Sequence, residues 1–339
     1  VISEAKPNTT DSSTLNVSVV IPVYSGEDTL PALVHEFEQY TSPTKTARGH
    51  SFVVNEVFLV WDRGPRGTDQ TMRDLARAFA WVKPIWLSRN FGQHAATLAG
   101  MTSSGGDWIV TMDEDGQHDP AFIADMIDTA YTNQAQVVYA SPRTRAPHSK
   151  VRNLSSKFAK RLFAGVLSGD GFAEFNSYRL ILGEVGRSVA AYTGAGVYLD
   201  VALSWVVADV TTCPVIARKE GRPATNYNYR KLAQHFGRLI VSSGTRPLLL
   251  VFWLGLFFMV GGGLGSLFIV YQRVTGALLA SGWASTLVVL MLIGGSILLS
   301  LGVIAQYVGA ATNMSLGKPL YVVVGDPKRT FDSQAHEDS

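Results

Sequence analysis

Short apolar runs alternate with amphipathic stretches along the first third of the chain. Val17–Val23 is β-branched and ends at Pro22-Val23-Tyr24, which reads as a strand. Thr29–Tyr40 repeats its apolar residues at helical spacing. Val53–Trp61 reads as a second strand and Thr68–Ala80 as a helix, separated by a loop holding Gly64, Pro65 and Gly67. Val82–Leu87 is a third strand, Gln93–Thr102 a helix and Trp108–Met112 a fourth strand. This alternation predicts an α/β fold with a mostly parallel, Rossmann-like sheet. Ligands of such sheets bind beyond the carboxyl ends of the strands. Tyr24, Asp62, Asn90 and Asp113 all fall there.

The pattern then changes. In Val151–Leu167, apolar residues at helical spacing are interleaved with Arg152, Lys157, Lys160 and Arg161; residues 227–241 repeat the theme. Basic amphipathic helices of this kind lie in a membrane interface. Pro247–Gln272 and Val274–Gly317 hold no charged residue, and only Arg273 stands between them. A helix over Leu248–Tyr271 would be about 36 Å long at 1.5 Å per residue, more than the roughly 30 Å hydrocarbon core. Ala284–Gly309 supplies a second such stretch.

These boundaries predict a polar, disordered tail (1–16) and an α/β domain (17–226) carrying an interfacial helix at 151–168. A second amphipathic helix (227–246), transmembrane helices at 247–272 and 284–310 and a C-terminal tail (311–339) complete the chain. Basic residues flank the pair of spans: Arg230, Lys231, Arg238 and Arg246 before, Lys318, Lys328 and Arg329 after. The positive-inside rule puts both flanks in the cytoplasm and the short link outside. No signal peptide is expected, since residues 1–16 are polar. A chain that begins at Val1 rather than Met is expected to be trimmed.

The net charge of +2 implies no nucleic-acid partner, and a single cysteine, Cys213, excludes an internal disulfide. Candidate chemistry concentrates in Asp113-Glu114-Asp115-Gly116-Gln117, directly after the fourth strand. Asp113 and Asp115 are one residue apart, on the same side of an extended chain. Two such carboxylates suit a hard divalent cation, which can neutralise a nucleotide diphosphate.

Together these segments resemble the inverting glycosyltransferase family 2 with a GT-A fold. The likeness is to its membrane-anchored polyprenyl-phosphate glycosyltransferases, relatives of dolichyl-phosphate mannose synthase and of bacterial undecaprenyl-phosphate glucosyltransferases. Val19–Glu27 looks like the family's nucleotide-binding strand and turn, and Ser88–Ala96 like its asparagine-glycine turn and helix. Asp113–Gln117 resembles its aspartate-x-aspartate-x-glutamine metal site, and Lys318-Pro319-Leu320-Tyr321-Val322 the segment after its second span.

The resemblance implies Mg²⁺ or Mn²⁺ on Asp113, Asp115 and Gln117. It implies a nucleotide sugar held by Pro22, Tyr24, Glu27, Asp62, Asn90 and Asp113. UDP-sugars come first and GDP-mannose second. The acceptor would be a polyprenyl phosphate, undecaprenyl or decaprenyl, bound through Arg143, Arg152 and Arg218 at the lipid surface. Catalysis would rest on Asp113, Asp115 and Arg179. The product would be a lipid-linked sugar for cell-envelope glycans, made on the cytoplasmic face of a bacterial inner membrane, by an enzyme that can form homo-oligomers.

The chain departs from the family pattern twice. Its second strand ends in Trp61-Asp62-Arg63-Gly64-Pro65, with one aspartate where the family has two. Ser177, in Phe175-Asn176-Ser177-Tyr178-Arg179, stands where some members offer a carboxylate, so a carboxylate base is not expected there. Two alternatives compete. A catalytically inactive membrane scaffold or regulator would have no use for Asp113 and Asp115. A processive polysaccharide synthase needs a glutamine-x-x-arginine-tryptophan motif and more spans, whereas this chain offers Gln234-His235-Phe236-Gly237-Arg238-Leu239. A nicotinamide enzyme is disfavoured, because Gly261–Gly265 lies inside an expected span, where glycines serve close helix packing.

Overall fold

The computed structural model describes residues 14–65, 67–142, 176–194, 197–216, 218, 283–316 and 319–328, with single positions between 257 and 275. Residues 143–175 and most of 217–282 lie outside this set. So do Arg143, Arg152, both expected amphipathic helices and nearly all of the first expected span.

The chain forms two compact units. The first holds the sheet. Its strands and helices run β1 (Leu15–Val23), α1 (Leu30–Phe37), β2 (Thr44–Lys45), β3 (Ser51–Trp61), α2 (Thr68–Ala78), β4 (Val82–Leu87), α3 (Gln93–Ser103) and β5 (Trp108–Thr111). They continue α4 (Phe122–Asn133), β6 (Val137–Pro142), β7 (Arg179–Leu182), α5 (Gly183–Tyr192), α6 (Leu199–Val206) and β8 (Val210–Val215). The sheet order is β8-β6-β7-β5-β1-β3-β4-β9, with β2 antiparallel on β3. β9 is Val323–Val324, far along the chain.

β1 runs parallel to both β3 and β5, and β3 parallel to β4. Val23 pairs with Trp61, Trp61 with Trp86 and Val20 with Thr111, so four strands end together. β7 is reversed. It lies antiparallel between β5 and β6 and sets Arg179 beside Thr111 and Tyr139. The predicted α/β, mostly parallel sheet is therefore present, with antiparallel β2, β7 and β9 added.

β1 is buried on both faces, as a central parallel strand requires. Val19, Ile21 and Val23 join Leu30, Leu33 and Phe37 of α1 and Ile123, Met126 and Ile127 of α4 in one core. On the opposite face, α3 lies so close that a Cβ on Gly100 would sit 2.3 Å from Val20 Cγ1. Alternate residues of one strand thus meet two helical layers.

β9 closes the other edge. Leu87 pairs with Val323 and Trp86 with Val324, and the Ser88 N–H donates to the Val322 carbonyl at 2.9 Å. Arg73, buried beneath, bonds Asp326 through Nε and Nη2. Residues read from the sequence only as a tail are here part of the sheet.

The second unit contains α7, Trp283–Ser315. It covers the second expected span, carries no charged residue and is about 50 Å long at 1.5 Å per residue. Leu290, Ile293, Ile297, Leu301 and Val308 are exposed along it. Among the described residues no helix is long and apolar enough to cross a membrane. Several α7 side chains fall outside the described set.

Candidate functional site

Four loops leave the aligned strand ends. The first follows β1. Tyr24 is half exposed and Glu27 exposed, while Pro22 is buried at the strand end. Gly26 O accepts the N–H groups of Thr29 and Leu30 and starts α1. The second loop follows β3 and presses on the first: a Cβ on Gly64 would lie 1.5 Å from the Tyr24 carbonyl oxygen, so only glycine fits. Gly67 takes φ +114°, and a Cβ there would lie 2.4 Å from Glu27 Oε2. Tyr24, Glu27 and Asp62 therefore stand on two abutting loops.

Asp62 is buried. Its carboxylate accepts the N–H groups of Phe91 and Gly92 at 2.7 and 2.8 Å. Burial raises its pKa, and those two N–H bonds oppose the rise. Both oxygens thus hold the loop that leads into α3. Asn90, one residue earlier, is exposed on that loop.

The acidic loop follows β5. Asp113 Oδ1 accepts from Gln93 Nε2 at 2.5 Å, and Oδ2 accepts from Ser177 Oγ at 2.5 Å. Asp115 accepts the backbone N–H and the side-chain Nε2 of Gln117, both at 3.0 Å. The Asp113 N–H donates to His118 Nδ1 at 3.1 Å, and the His118 ring stacks on Tyr178 at 4.9 Å. Burial lowers the His118 pKa against the pull of Asp113 and Asp115. Tyr178 Oη donates to the Asp119 carbonyl at 2.8 Å, and the Arg218 N–H to the Gln117 carbonyl at 3.1 Å. A cavity of ≈ 150 Å³ opens beside this loop, between Gln117, His118, Asn176, Tyr178 and Ile216.

Asp113, Asp115 and Gln117 bring only oxygen donors to one loop, which fits Mg²⁺ or Mn²⁺ in kind. Among the described residues no group of three or more His, Cys, Asp or Glu side chains gathers as a protein-only metal cage.

Two arginines have other engagements than the sequence suggests. Arg179, expected to be catalytic, is buried. It forms an ion pair with Asp200 and donates from Nε to Thr111 Oγ1 at 3.0 Å. Tyr139 Oη donates to the same Asp200 at 3.0 Å, and burial pushes the Tyr139 phenol strongly up. Arg179 holds β5, β7 and α6 together. Arg218, expected on the acceptor phosphate, bonds Glu36 through Nη1 at 2.8 Å and pairs with Asp119 at 2.9 Å. Those two carboxylates offset its charge, and it ties the acidic loop to α1. Arg143 and Arg152 lie outside the described residues.

Sequence reasoning also missed Glu114, whose carboxylate accepts the Tyr24 and Ser25 N–H groups. It missed Gln93 as well. A glutamine directly after Gly92, at the start of an expected helix, was the available signal.

Residues 18–193 match the family described as Glycosyl transferase family 2. The chain is similar to "Uncharacterized glycosyltransferase YkcC" of Bacillus subtilis, at 26% identity over 91% of this chain and 93% of that one. It is also similar to "Bactoprenol glucosyl transferase" of Shigella phage SfV, at 22% identity over 93% of this chain and 100% of that one. Among solved structures, glucosyl-3-phosphoglycerate synthase from Mycobacterium tuberculosis in complex with Mn²⁺, UDP-glucose and phosphoglyceric acid aligns with a TM-score of 0.46. Identity there is 14%, over 71% of this chain and 86% of that one. The family match begins in β1, passes through both abutting loops, the acidic loop and β7, and covers just over half of the residues: the chain belongs to glycosyltransferase family 2.

Proposed function

We propose that this glycosyltransferase moves one sugar from a nucleotide sugar, a UDP-sugar before GDP-mannose, to a polyprenyl phosphate at the cytoplasmic face of a bacterial inner membrane. The observation that carries the donor half is the juxtaposition of the Tyr24–Glu27 turn, the Asp62–Gly67 loop and the Asp113–Gln117 loop at one end of the sheet. The nucleoside would lie over the first two, and its diphosphate would reach the third. The acceptor half is supported by the two chargeless stretches of the sequence, Pro247–Gln272 and Val274–Gly317, and by relatives named bactoprenol glucosyl transferases that match along nearly the whole chain.

In the reaction, the sugar C1–oxygen bond to the nucleoside diphosphate breaks. A lipid-phosphate oxygen forms the new C1 bond from the opposite face and inverts the configuration. That oxygen is anionic at neutral pH, so no general base is required, and Ser177 can stand at β7 without a carboxylate. Asp113, Asp115 and Gln117 would hold a divalent cation, which neutralises charge on the departing diphosphate. Asp113 is kept in place by Gln93 and Ser177, and Glu27 borders the nucleoside side. Arg143 and Arg152 would bind the lipid phosphate, since guanidinium forks match phosphate oxygens. Membrane insertion through 247–272 and 284–310, with self-association, completes the reading.

A donor-release screen tests it. Full-length protein in detergent is given UDP-sugars and GDP-mannose, with Mn²⁺, with and without undecaprenyl phosphate. Release of nucleoside diphosphate that depends on the lipid phosphate is expected from one donor. Release that is equally fast without any lipid phosphate overturns the acceptor assignment.

A further inference from the structure

Glu114 stands between the two aspartates of the acidic loop, yet its carboxylate bonds to a different part of the molecule. β1 and β5 are parallel neighbours, with Val20 opposite Thr111. A few residues beyond that pair, the chain leaving β1 meets the loop leaving β5. Glu114 Oε2 accepts the Tyr24 N–H at 3.0 Å, and the Ser25 N–H reaches Oε1 at 3.0 Å and Oε2 at 3.2 Å. Thr29 Oγ1 donates to the Glu114 backbone carbonyl at 2.6 Å. Gly26 makes room, since a Cβ there would lie 2.6 Å from Glu114 Oε2. Residues 24–29 thus grip Glu114 by side chain and main chain together.

We infer that Glu114 is a positioning residue that couples the acidic loop to the nucleoside turn, so that a divalent cation and a nucleotide diphosphate bind cooperatively. This rests on the function proposed above. Two successive backbone N–H groups donating to one carboxylate make charge-assisted bonds, and with the Thr29 bond they tie the two loops together. A cation drawing on Asp113 and Asp115 would bear on the peptide between them, and Glu114 carries that constraint to Tyr24 and Ser25, the turn the nucleoside would occupy. Linkage is reciprocal, so nucleotide binding strengthens cation binding by the same factor.

Glu114→Gln separates this role from chemistry. The amide keeps one acceptor oxygen but turns an NH₂ toward a backbone N–H, donor against donor, and loses one arm of the clasp. Thr29→Val removes the other grip with little change of shape. UDP binding to the full-length protein is measured by calorimetry, with and without Mn²⁺, for the parent chain and both variants. In the parent chain Mn²⁺ should tighten UDP about tenfold or more, and in each variant about threefold or less. The thermal midpoints should stay within about 4 °C, which a general loss of folding would not allow. Variants that fold and keep the full tightening overturn the role of Glu114. A parent chain whose UDP and GDP affinities ignore Mn²⁺ overturns the underlying donor reading instead.

Discussion

Ser177 Oγ donates to Asp113 Oδ2 at 2.5 Å, and this bond joins β7 to the first aspartate of the acidic loop. Ser177 is itself held through its carbonyl, which accepts from Thr111 Oγ1 at 2.7 Å. The antiparallel strand β7 therefore matters to the site as a support for Asp113. Ser177→Ala should leave the fold within about 1 kcal/mol, since one partly exposed hydrogen bond is lost. Donor turnover should fall about tenfold, because among the described residues the Asp113 carboxylate then keeps only Gln93 as a partner. Thermal unfolding and donor release on the same variant check both halves. Unchanged turnover would mean that Gln93 alone fixes Asp113.

Asp115 gives the test of the cation. Among the described residues its two oxygens bond only to Gln117, so Asp115→Asn disturbs little packing. Turnover should drop by two orders of magnitude or about that, as expected when a ligand to the charge-neutralising ion is weakened. The Mn²⁺ concentration for half-maximal activity should rise. Full turnover of this variant in the presence of a chelator contradicts the metal assignment.

The part of the fold visible in the sequence is the part governed by local pattern. β1, β3 and β4 are long or strongly apolar, and the helices between them repeat at helical spacing, so each predicted boundary lies within a few residues of the observed one. β7 has four residues and β9 two, and both are defined by partners far away in the chain. Nothing local marks Val323–Val324 as a sheet edge. The same distinction holds in the site. Asp113 and Asp115 announce themselves by spacing and by following a strand. Arg179 and Arg218 look like free cations in the sequence, because Asp200, Glu36 and Asp119 meet them only after folding.

Arg179 and Asp200 make a buried ion pair, and breaking one side leaves the other charge unpaired. Arg179→Met should cost about 3–5 kcal/mol. The double variant Arg179→Met, Asp200→Leu should recover a good share of that, since no orphan charge remains. Chemical denaturation of the three proteins decides it. Equal stability of the single and double variants would show that the cost comes from lost packing around Thr111 and Tyr139.

Glu56 predicts an acid limb in stability. Burial by itself would raise its pKa, but Lys83 Nζ at 2.6 Å, Ser18 Oγ at 2.6 Å and the Gly105 N–H at 2.6 Å together hold it below the ordinary 4.5. A depressed carboxyl stabilises the fold above its unfolded pKa, and that stability is lost as pH falls through the folded value. The thermal midpoint should therefore fall as pH drops below about 4.5. Glu56→Gln should start lower and show a shallower acid limb. A variant with the parent's full acid slope would place the responsible group elsewhere.

The edge strand constrains any membrane topology open to the chain. β9 pairs with β4, and Asp326 bonds Arg73 of α2, so residues 319–328 share one compartment with the sheet. The two chargeless stretches lie between the sheet's earlier strands and β9. If they are embedded, the chain must cross the bilayer an even number of times between Pro247 and Lys318. Two crossings satisfy this, as does none; one does not. The positive-inside rule then predicts the cytoplasm for the shared side. In a Cys213→Ser background, Ala280→Cys in the link should react with an impermeant maleimide applied to intact cells. Ala335→Cys should react only after the cells are opened. Labelling of both from outside would invert the orientation while keeping the count. Labelling of Ala335→Cys but not Ala280→Cys from outside contradicts the model, and protection of both until lysis leaves the link uncrossed, with α7 lying along the membrane surface.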